Sequence, residues 1–359
     1  MVLRGKAGEM QTRILRVGSA DIDQEYIRAA ASLIRAGELV AFPTETVYGL
    51  GADALCPAAA QKIYAAKGRP SDNPLIVHIE RFEVLASIAR EVPRGAHRLA
   101  EAFWPGPLTM IVWKNEKIPY ETTGGMETVA VRMPNHPIAL ALIRESGCLI
   151  AAPSANTSGR PSPTEASHVA EDMEGRIPMI LDGGSVGIGI ESTIVDLTEE
   201  VPMILRPGYV TREMLEVVLG QEVRMDPGII SADSGRKPKA PGMKYRHYAP
   251  KADLIVVEGE MDRVIASINR LAADKRVAGL RVGVIATDES SAFYQADDVV
   301  SVGAREDEGV IARHLYRILR AFDRSGVEVI YSESFETPGI GQAIMNRLLK
   351  AAGHHVLRV

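Results

Sequence analysis

The chain has 359 residues, of which 46% are apolar and 24% are charged, and its formal net charge is −5. This balance is typical of globular proteins, and the length is enough for two domains. The negative charge excludes a general attraction for nucleic acids, so an RNA contact would need a local basic patch. Its two isolated cysteines exclude a disulfide framework and a four-thiolate zinc site.

The amino-terminal segment and the apolar runs give no sign of a membrane protein. The opening MVLRGKAGEMQTR is polar and lacks the apolar core of a signal peptide. No apolar run approaches the ~20 residues that a membrane-spanning helix needs. We therefore expect a cytoplasmic protein.

The first regular element is a helix whose apolar period runs from Ile27 to Ile34. Asp21 or Asp23 can cap it, and Gly37 can end it. Helical patterns then alternate with strand-like apolar runs at 39–42, 75–79, 109–113, 128–133, 149–152 and 192–197. The alternation predicts an α/β domain over residues 12–222, built around a twisted, mostly mixed sheet.

The composition changes between 223 and 251. This segment is rich in proline, glycine and charged residues and shows no helical or strand periodicity. This composition is typical of a linker. Beyond it, residues 252–359 return to alternating strands and helices and predict a smaller, Rossmann-like domain with a parallel sheet. GIGQAIMNR at 339–347 opens a helix but lacks the spacing of a dinucleotide-binding motif.

The segment FPTETVYGLG, at 42–51, leaves a strand through Pro43 and carries the hydroxyls of Thr44, Thr46 and Tyr48. Its glycines allow close backbone approach, so the turn can present hydroxyls to a small ligand. Threonine-rich strand ends are common, and a purely structural role remains open.

The segment KGRPSDNPLIVHI, at 67–79, places Lys67 and Arg69 on a loop stiffened by prolines, before a strand that carries His78. Two cations on such a loop suit a polyphosphate, because guanidinium binds phosphate oxygens in a fork and lysine adds a compact charge. A solvated basic turn, with His78 satisfied in the core, is the alternative.

Two further polar stretches follow strands. SANTSGRPSPT, at 154–164, is rich in hydroxyls and carries Arg160, and it begins where the strand at 149–152 ends. Open α/β sheets collect ligands at strand ends. Ser192 and Arg206 add another hydroxyl and another cation beside strands.

Arg132 lies inside the apolar run TVAVRMP. A buried arginine needs an anionic partner, which a substrate carboxylate or an internal salt bridge can supply. The sequence has no P-loop, kinase, HExxH or GxSxG motif. Many hydroxyls and several cations without a nucleophile–base pair suit catalysis by positioning and by electrostatic stabilisation of a phosphorus centre.

Together, KGRPSDNPL, SANTSGRPSPT and the linker stretch APGMKYRHYAP resemble the YrdC-like threonylcarbamoyl-AMP synthase family in its long, two-domain form. The resemblance covers nearly the whole chain from about residue 14. It implies that bicarbonate or carbon dioxide carboxylates L-threonine, and that the carbamate attacks the α-phosphorus of ATP and expels pyrophosphate. The product would serve tRNA threonylcarbamoyladenosine formation through a downstream transferase, and magnesium would accompany ATP.

The resemblance also implies residue roles. Around L-threonine it places Thr46, His78, Arg132, Ala152 and Ser192, with Arg132 on the carboxylate. Around ATP it places Lys67, Arg69, Asn73, Thr128, Ser154, Ser162, Arg206 and Tyr245, with Lys67 and Arg69 as the catalytic cations. Tyr245, His247 and Tyr248 would belong to a mobile lid over the first domain. No general base and no protein ligand for a metal can be identified.

Two other functions remain open at this stage. A carbamoyl-transfer enzyme of the hydrogenase-maturation type also carries a YrdC-like domain, but it needs cysteine-rich zinc motifs that two cysteines cannot supply. A YrdC-type RNA-binding module could use the basic loops without catalysis. Net acidity and an aromatic content of 5% argue against stacking on bases and leave at most a weak RNA contact.

Overall fold

The structure is a computed structural model that describes residues 10–229, 247–335 and 339–359. Its residues group into two compact units. The first contains most of the described chain up to residue 229. The second contains the described chain from residue 247 onward together with two short segments, Gly159–Pro161 and Ile188–Ile190. The predicted linker is described only at its ends, because residues 230–246 lie outside the described ranges.

The first unit is built on one large mixed sheet, as the sequence predicted. Its described strands are β1 (Arg13–Arg16), β2 (Val40–Phe42), β3 (Gly49–Asp53), β4 (Ile76–His78), β5 (Leu108–Trp113), β6 (Thr128–Arg132), β7 (Ile150–Ala151), β8 (Met179–Asp182), β9 (Thr193–Asp196), β10 (Met203–Arg206) and β11 (Arg224–Met225). Their order across the sheet is β1-β8-β2-β3-β7-β4-β6-β5-β9-β10-β11. Within it, β6 pairs with β4 in parallel and with β5 in antiparallel orientation.

The helices of this unit are α1 (Gln24–Arg35), α2 (Pro57–Lys67), α3 (Leu85–Ile88), α4 (Arg94–Phe103), α5 (Tyr120–Thr123), α6 (Pro137–Ser146), α7 (Ala166–Met173) and α8 (Arg212–Leu219). Helix α1 begins as predicted, with the Asp23 carboxylate accepting from the backbone amides of Glu25 and Tyr26 at 2.9 and 3.3 Å. Gly37 follows its end at a φ of 71°, a conformation that favours glycine. Of the two predicted caps, Asp23 is the one used.

The central strands present different chemistry on their two faces. Side chains alternate along a strand, so Val129 and Val131 enter the main hydrophobic core while Ala130 points to the opposite face. There Ala130 joins a separate apolar cluster with Ile76, Ile111, Ile194 and Leu205. Thr128 and Arg132 share the face of Ala130, because they are two residues away on either side. We call this surface the site face.

The second unit contains a parallel sheet, which confirms the predicted fold class. Its described strands are β12 (Asp253–Glu258), β13 (Val282–Ala286), β14 (Asp298–Ser301), β15 (Val329–Glu333) and β16 (Val356–Arg358), in the order β14-β13-β15-β12-β16. Its helices are α9 (Met261–Val277), α10 (Glu308–Ser325) and α11 (Ile340–Ala351). Across the ranges that the structure describes, no helix is both long and apolar enough to cross a membrane.

Candidate active site

A row of polar side chains crosses five neighbouring strands of the first unit. His78, the last residue of β4, is in register with Arg132, the last residue of β6, which pairs in turn with Thr109 of β5. The Thr109 hydroxyl lies 2.8 Å from the hydroxyl of Ser192, directly before β9. Arg206, at the end of β10, donates to the hydroxyl and the carbonyl of Ser192 at 3.1 and 3.0 Å. Four predicted site residues thus meet along one edge of the sheet.

Arg132 forms a buried ion pair with Glu45. Its Nη2 lies 2.8 Å from Oε2 of Glu45, and the Arg132 side chain is only 5% exposed. The internal salt bridge considered from the sequence is therefore present. Nε and Nη2 of Arg132 nevertheless make no hydrogen bond of good geometry to any other described residue. A buried guanidinium in this state retains donors for a second anion.

The turn at 44–47 orients the Thr46 hydroxyl. The Thr44 hydroxyl donates to the Val47 carbonyl at 2.7 Å and accepts from the Thr46 and Val47 amides. Because its only hydrogen is used there, the Thr46 hydroxyl is the donor in its 2.9 Å contact with Thr44. Tyr48 has a structural role, since its hydroxyl donates to the Gly184 carbonyl at 2.6 Å and burial raises its pKa well above the usual range.

His78 is held neutral by its surroundings. Burial, followed by the nearby positive charge of Arg132, lowers its pKa from 6.5 to about 3. Its Nδ1 lies 3.1 Å from the Ile76 carbonyl, and a carbonyl only accepts, so the ring hydrogen is on Nδ1. Nε2 then carries a lone pair and can accept a hydrogen bond from a ligand.

This lowered pKa predicts how stability depends on pH. Between pH 6.5 and about 3 the unfolded chain binds a proton at His78 that the folded protein excludes. Above pH 6.5 this group leaves the free energy of unfolding at its full value. Below pH 6.5 the free energy of unfolding falls by about 1.4 kcal/mol per pH unit. At pH 5 the wild type should have lost about 2 kcal/mol through this group, and His78→Gln should remove that loss. Urea unfolding of both proteins at pH 7 and pH 5 measures it; equal losses would contradict the assignment.

A second polar cluster surrounds Lys67, the last residue of α2, which is 1% exposed. Its ammonium group donates to the carbonyls of Ser154 and Asn156. The Ser154 hydroxyl donates to Oδ1 of Asn156 at 2.5 Å, and the Ser158 amide donates to the Lys67 carbonyl at 2.9 Å. The lysine therefore fixes the loop at 154–158 against α2, and its predicted contact with phosphate stays a prediction.

Arg69 and Asn73 lie in the loop that leads into β4. The Arg69 guanidinium donates to the carbonyls of Asn73 and Pro74 at 3.2 and 3.0 Å. These two hydrogen bonds fix the Arg69 side chain against the backbone of its own loop. Oδ1 of Asn73 is buried and has no hydrogen-bond partner among the described residues, which leaves a polar acceptor for a ligand.

The remaining predicted residues lie close to these two clusters. The Ala152 amide donates to the Ile76 carbonyl at 2.8 Å, which places Ala152 beside β4. The Ser162 hydroxyl donates to the Glu191 carboxylate at 2.5 Å, next to Ser192. Thr128 lies at the amino end of β6, about 13 Å along the strand from Arg132.

The site face therefore has two polar ends and an apolar centre. His78, Arg132 and Ser192 mark one end, and Thr128 marks the other. The cluster of Ala130 and its isoleucine and leucine neighbours lies between the ends. The two polar ends are about 13 Å apart, a distance that an extended ligand with polar groups at both ends spans.

Sequence reasoning missed three residues of the network: Glu45, Thr109 and Glu191. Glu45 sits between two threonines that were singled out, and the need of Arg132 for an anion was recognised. What was lacking was the strand order that brings residue 45 to residue 132. Thr109, a hydroxyl at the start of the apolar run TMIVW, carried a weak signal of its own.

Of the three predicted lid residues, only His247 and Tyr248 lie in the part of the chain that the structure describes. Tyr245 lies outside the described residues. The Tyr248 ring lies 5.2 Å from that of Tyr316 and 5.6 Å from that of His247, centroid to centroid, within the second unit. The lid itself stays a prediction. In the described ranges, no group of three or more histidine, cysteine or acidic side chains is placed to hold a metal ion.

Comparisons with known proteins agree over both halves of the chain. Residues 32–208 match a family model named Sua5_yciO_yrdC and described as "Telomere recombination". Residues 210–353 match one described as "Threonylcarbamoyl-AMP synthase, C-terminal domain". A threonylcarbamoyl-AMP synthase of Pyrococcus abyssi is 54% identical over 94% of this chain and 97% of its own length. One of Bacillus subtilis is 52% identical over 92% and 94%.

A solved structure of a relative is also similar to this chain in fold. The crystal structure of P. abyssi Sua5 complexed with L-threonine matches this chain with a TM-score of 0.91 at 51% identity. The match covers 97% of this chain and all of that chain, 100%. Both sequence and fold are therefore similar over nearly the full length.

Proposed function

The chain belongs to the threonylcarbamoyl-AMP synthase family in its two-domain form, and we propose the following course for its reaction. The neutral amine of L-threonine adds carbon dioxide and loses one proton to solvent, or reacts with bicarbonate and loses water, to give the carbamate. The carbamate then reacts with ATP to give threonylcarbamoyl-AMP and pyrophosphate. The observation that carries this proposal is the 54% identity to a synthase over 94% of the chain. The two polar ends of the site face supply the matching geometry.

L-threonine is placed at the end of the site face that carries Arg132. The guanidinium donors that lack well-aligned partners receive the substrate carboxylate, while Glu45 keeps the arginine in position. Nε2 of His78 and the hydroxyls of Thr46 and Ser192 supply hydrogen bonds to the amino acid's polar groups. Ala152 lies beside β4 and offers a small apolar contact.

ATP is placed toward the other end. Lys67 and Arg69 supply positive charge there, and Asn73, Thr128 and Ser154 supply hydrogen-bonding groups. Ser162 and Arg206 lie beside Ser192 at the threonine end and are proposed to contact ATP from that side. Tyr245 is added by resemblance alone. In the proposed site Lys67 has two roles. Its charge attracts the phosphates, and its hydrogen bonds position the loop at 154–158. Magnesium is proposed to arrive with the phosphates of ATP, and oxygen donors such as Oδ1 of Asn73 suit it. The ion would neutralise phosphate charge.

The chemical step needs little from a general base. One carbamate oxygen attacks the α-phosphorus, the new O–P bond forms, and the bond from the α-phosphorus to the bridging oxygen of pyrophosphate breaks. The attacking oxygen is already anionic, so no proton has to be removed from it. His78, with a pKa of about 3, is too weak a base to deprotonate the threonine ammonium at neutral pH. The residues therefore act by positioning and by stabilising charge.

The proposed reaction is tested by product analysis. The full chain is incubated with ATP, L-threonine, ¹³C-bicarbonate and magnesium, and pyrophosphate and the adenylate are measured together. We expect pyrophosphate release that requires threonine, and an adenylate whose mass carries the ¹³C label. Label-free adenylate, or pyrophosphate release without threonine, would contradict the proposal. In the proposed function, the threonylcarbamoyl-AMP product serves a separate transferase that acts on tRNA.

We also propose that the segment at 223–251 acts as a lid that keeps water from the labile anhydride. Ending the chain near residue 225 is expected to lower synthesis sharply while threonine binding to the first domain persists. Binding by calorimetry and adenylate formation are measured on the same truncated preparation. Full activity without the segment would reject the lid.

A further inference from the structure

Trp113 is a large aromatic side chain exposed at one end of the site face. It is the last residue of β5, and it is 38% exposed although the five residues before it are buried. Thr109, Ile111 and Trp113 alternate along the strand, so their side chains share one face. Ile111 belongs to the apolar centre of the site face, so Trp113 extends that surface.

The register of the sheet places Trp113 beside the proposed nucleotide residues. Trp113 pairs directly with Thr128 across β5 and β6, so the two side chains are neighbours on the same face. The chain before β6 packs against the loop of Arg69, because a Cβ on Gly124 would lie only 2.9 Å from the Asp72 carbonyl oxygen. The Arg69 guanidinium stabilises that loop by donating to the carbonyls of Asn73 and Pro74. The Arg69 loop leads into β4, and Thr128 and Trp113 lie on the next two strands of the sheet. The loop and Trp113 are therefore about two strand spacings apart, roughly 10 Å.

The indole ring is held in place although it is exposed. The Arg90 guanidinium lies over it, 5.8 Å from the ring centroid. Arg90 is fixed in turn by Glu127 at 2.8 Å and by the Lys114 carbonyl at 3.1 Å. A ring positioned by a cation on one face loses little conformational freedom when a flat ligand stacks on it.

We propose that Trp113 is the platform on which the adenine ring of ATP stacks. The inference rests on the proposed function, because it needs the triphosphate near Lys67 and Arg69 and threonine near Arg132. A ribose spans the gap between a phosphate at that loop and a base at Trp113. Aromatic stacking contributes affinity without any base-specific hydrogen bond, and Trp113 offers an exposed ring at this end of the site face.

The chain carries its own spectroscopic reporter for this contact. It contains two tryptophans, and Trp104 is buried at 8% exposure with its ring N–H donating to the Leu108 carbonyl at 2.7 Å. ATP binding is expected to quench the emission of Trp113. Titration of the wild type with ATP should show quenching, and the same titration of Trp113→Phe should not.

Affinity measurements separate stacking from a general effect on the fold. Trp113→Ala is expected to raise the Kd of ATP by about 5-fold to 150-fold, as expected for the loss of one base–aromatic stack. The same variant should bind inorganic tripolyphosphate, which has no base, as the wild type does. Phe293→Ala is the matched control, since Phe293 is an exposed aromatic of the second unit, 61% exposed, and lies outside the Arg90–Glu127 pair that positions Trp113. It should leave both affinities unchanged.

Three outcomes distinguish the inference from the function on which it rests. Quenching by ATP, with a selective loss of ATP affinity in Trp113→Ala, supports the stacking contact. ATP binding without quenching, or equal losses for ATP and tripolyphosphate, overturns the contact and leaves the proposed function standing. Failure of the wild type to bind ATP at all overturns both.

Discussion

Replacing Arg132 with glutamine is expected to lower kcat/KM for L-threonine by roughly 30-fold to several thousand-fold, with little change in the Kd of ATP. The reason is that truncating one partner of a buried charge pair costs about 2–5 kcal/mol. Arg132 is 5% exposed and already carries one carboxylate, from Glu45, at 2.8 Å. Steady-state synthesis at varied threonine and calorimetric ATP binding measure the two parts of the prediction.

Glu45→Gln is the matched control for Arg132. Glu45→Gln should lower stability in any case, because it leaves the buried charge without its internal partner. If the guanidinium receives the substrate carboxylate, threonine binding should fall far less in Glu45→Gln than in Arg132→Gln. If Arg132 serves only as the partner of Glu45, both variants should lose stability and activity to a similar extent. Similar losses would therefore contradict the proposed role of Arg132, whatever their size.

Replacing Lys67 with methionine is expected to lower the free energy of unfolding by about 2–5 kcal/mol and to weaken ATP binding. Methionine fills a similar volume but removes the donors that the carbonyls of Ser154 and Asn156 now receive. Those carbonyls would be left without this partner, and the loop at 154–158 would lose its attachment to α2. Urea unfolding and calorimetric titration with ATP measure the two effects.

Lys62→Met is the control for Lys67, on the same helix. Lys62 pairs with Glu38 at 2.8 Å, but its side chain is 43% exposed. An exposed ion pair of this kind contributes about 0–1 kcal/mol. Unfolding and ATP affinity should thus change little in Lys62→Met; Lys67→Met values equal to those of this control would show that the buried ammonium has no special role.

The fold class followed from local patterns, because they depend on short-range physics. The apolar period from Ile27 to Ile34, with Asp23 before it and Gly37 after it, became α1. The alternating runs beyond residue 252 became a parallel sheet with helices between its strands. Side-chain alternation and capping are decided within a few residues, so the sequence carries them directly.

The sheet order and the contacts of the site could not be predicted in the same way. β8 lies between β1 and β2, with Arg13 opposite Met179, and no local pattern specifies such a distant pairing. The partners of Arg132, Glu45 and Thr109, depend on that order. Lys67 illustrates a different limit, because its residue type suggested a phosphate ligand while its first contacts are two backbone carbonyls. Which groups a buried cation binds depends on the packed loop around it.

The central claim is that L-threonine and ATP meet on the site face, with the α-phosphorus between its two polar ends. A crystal structure with L-threonine and a non-hydrolysable ATP analogue tests it most directly. We expect the threonine carboxylate within hydrogen-bonding distance of Arg132 and the α-phosphate above Ala130 and its apolar neighbours. Ligands bound elsewhere, or a carboxylate that leaves Arg132 paired with Glu45 alone, would contradict the claim.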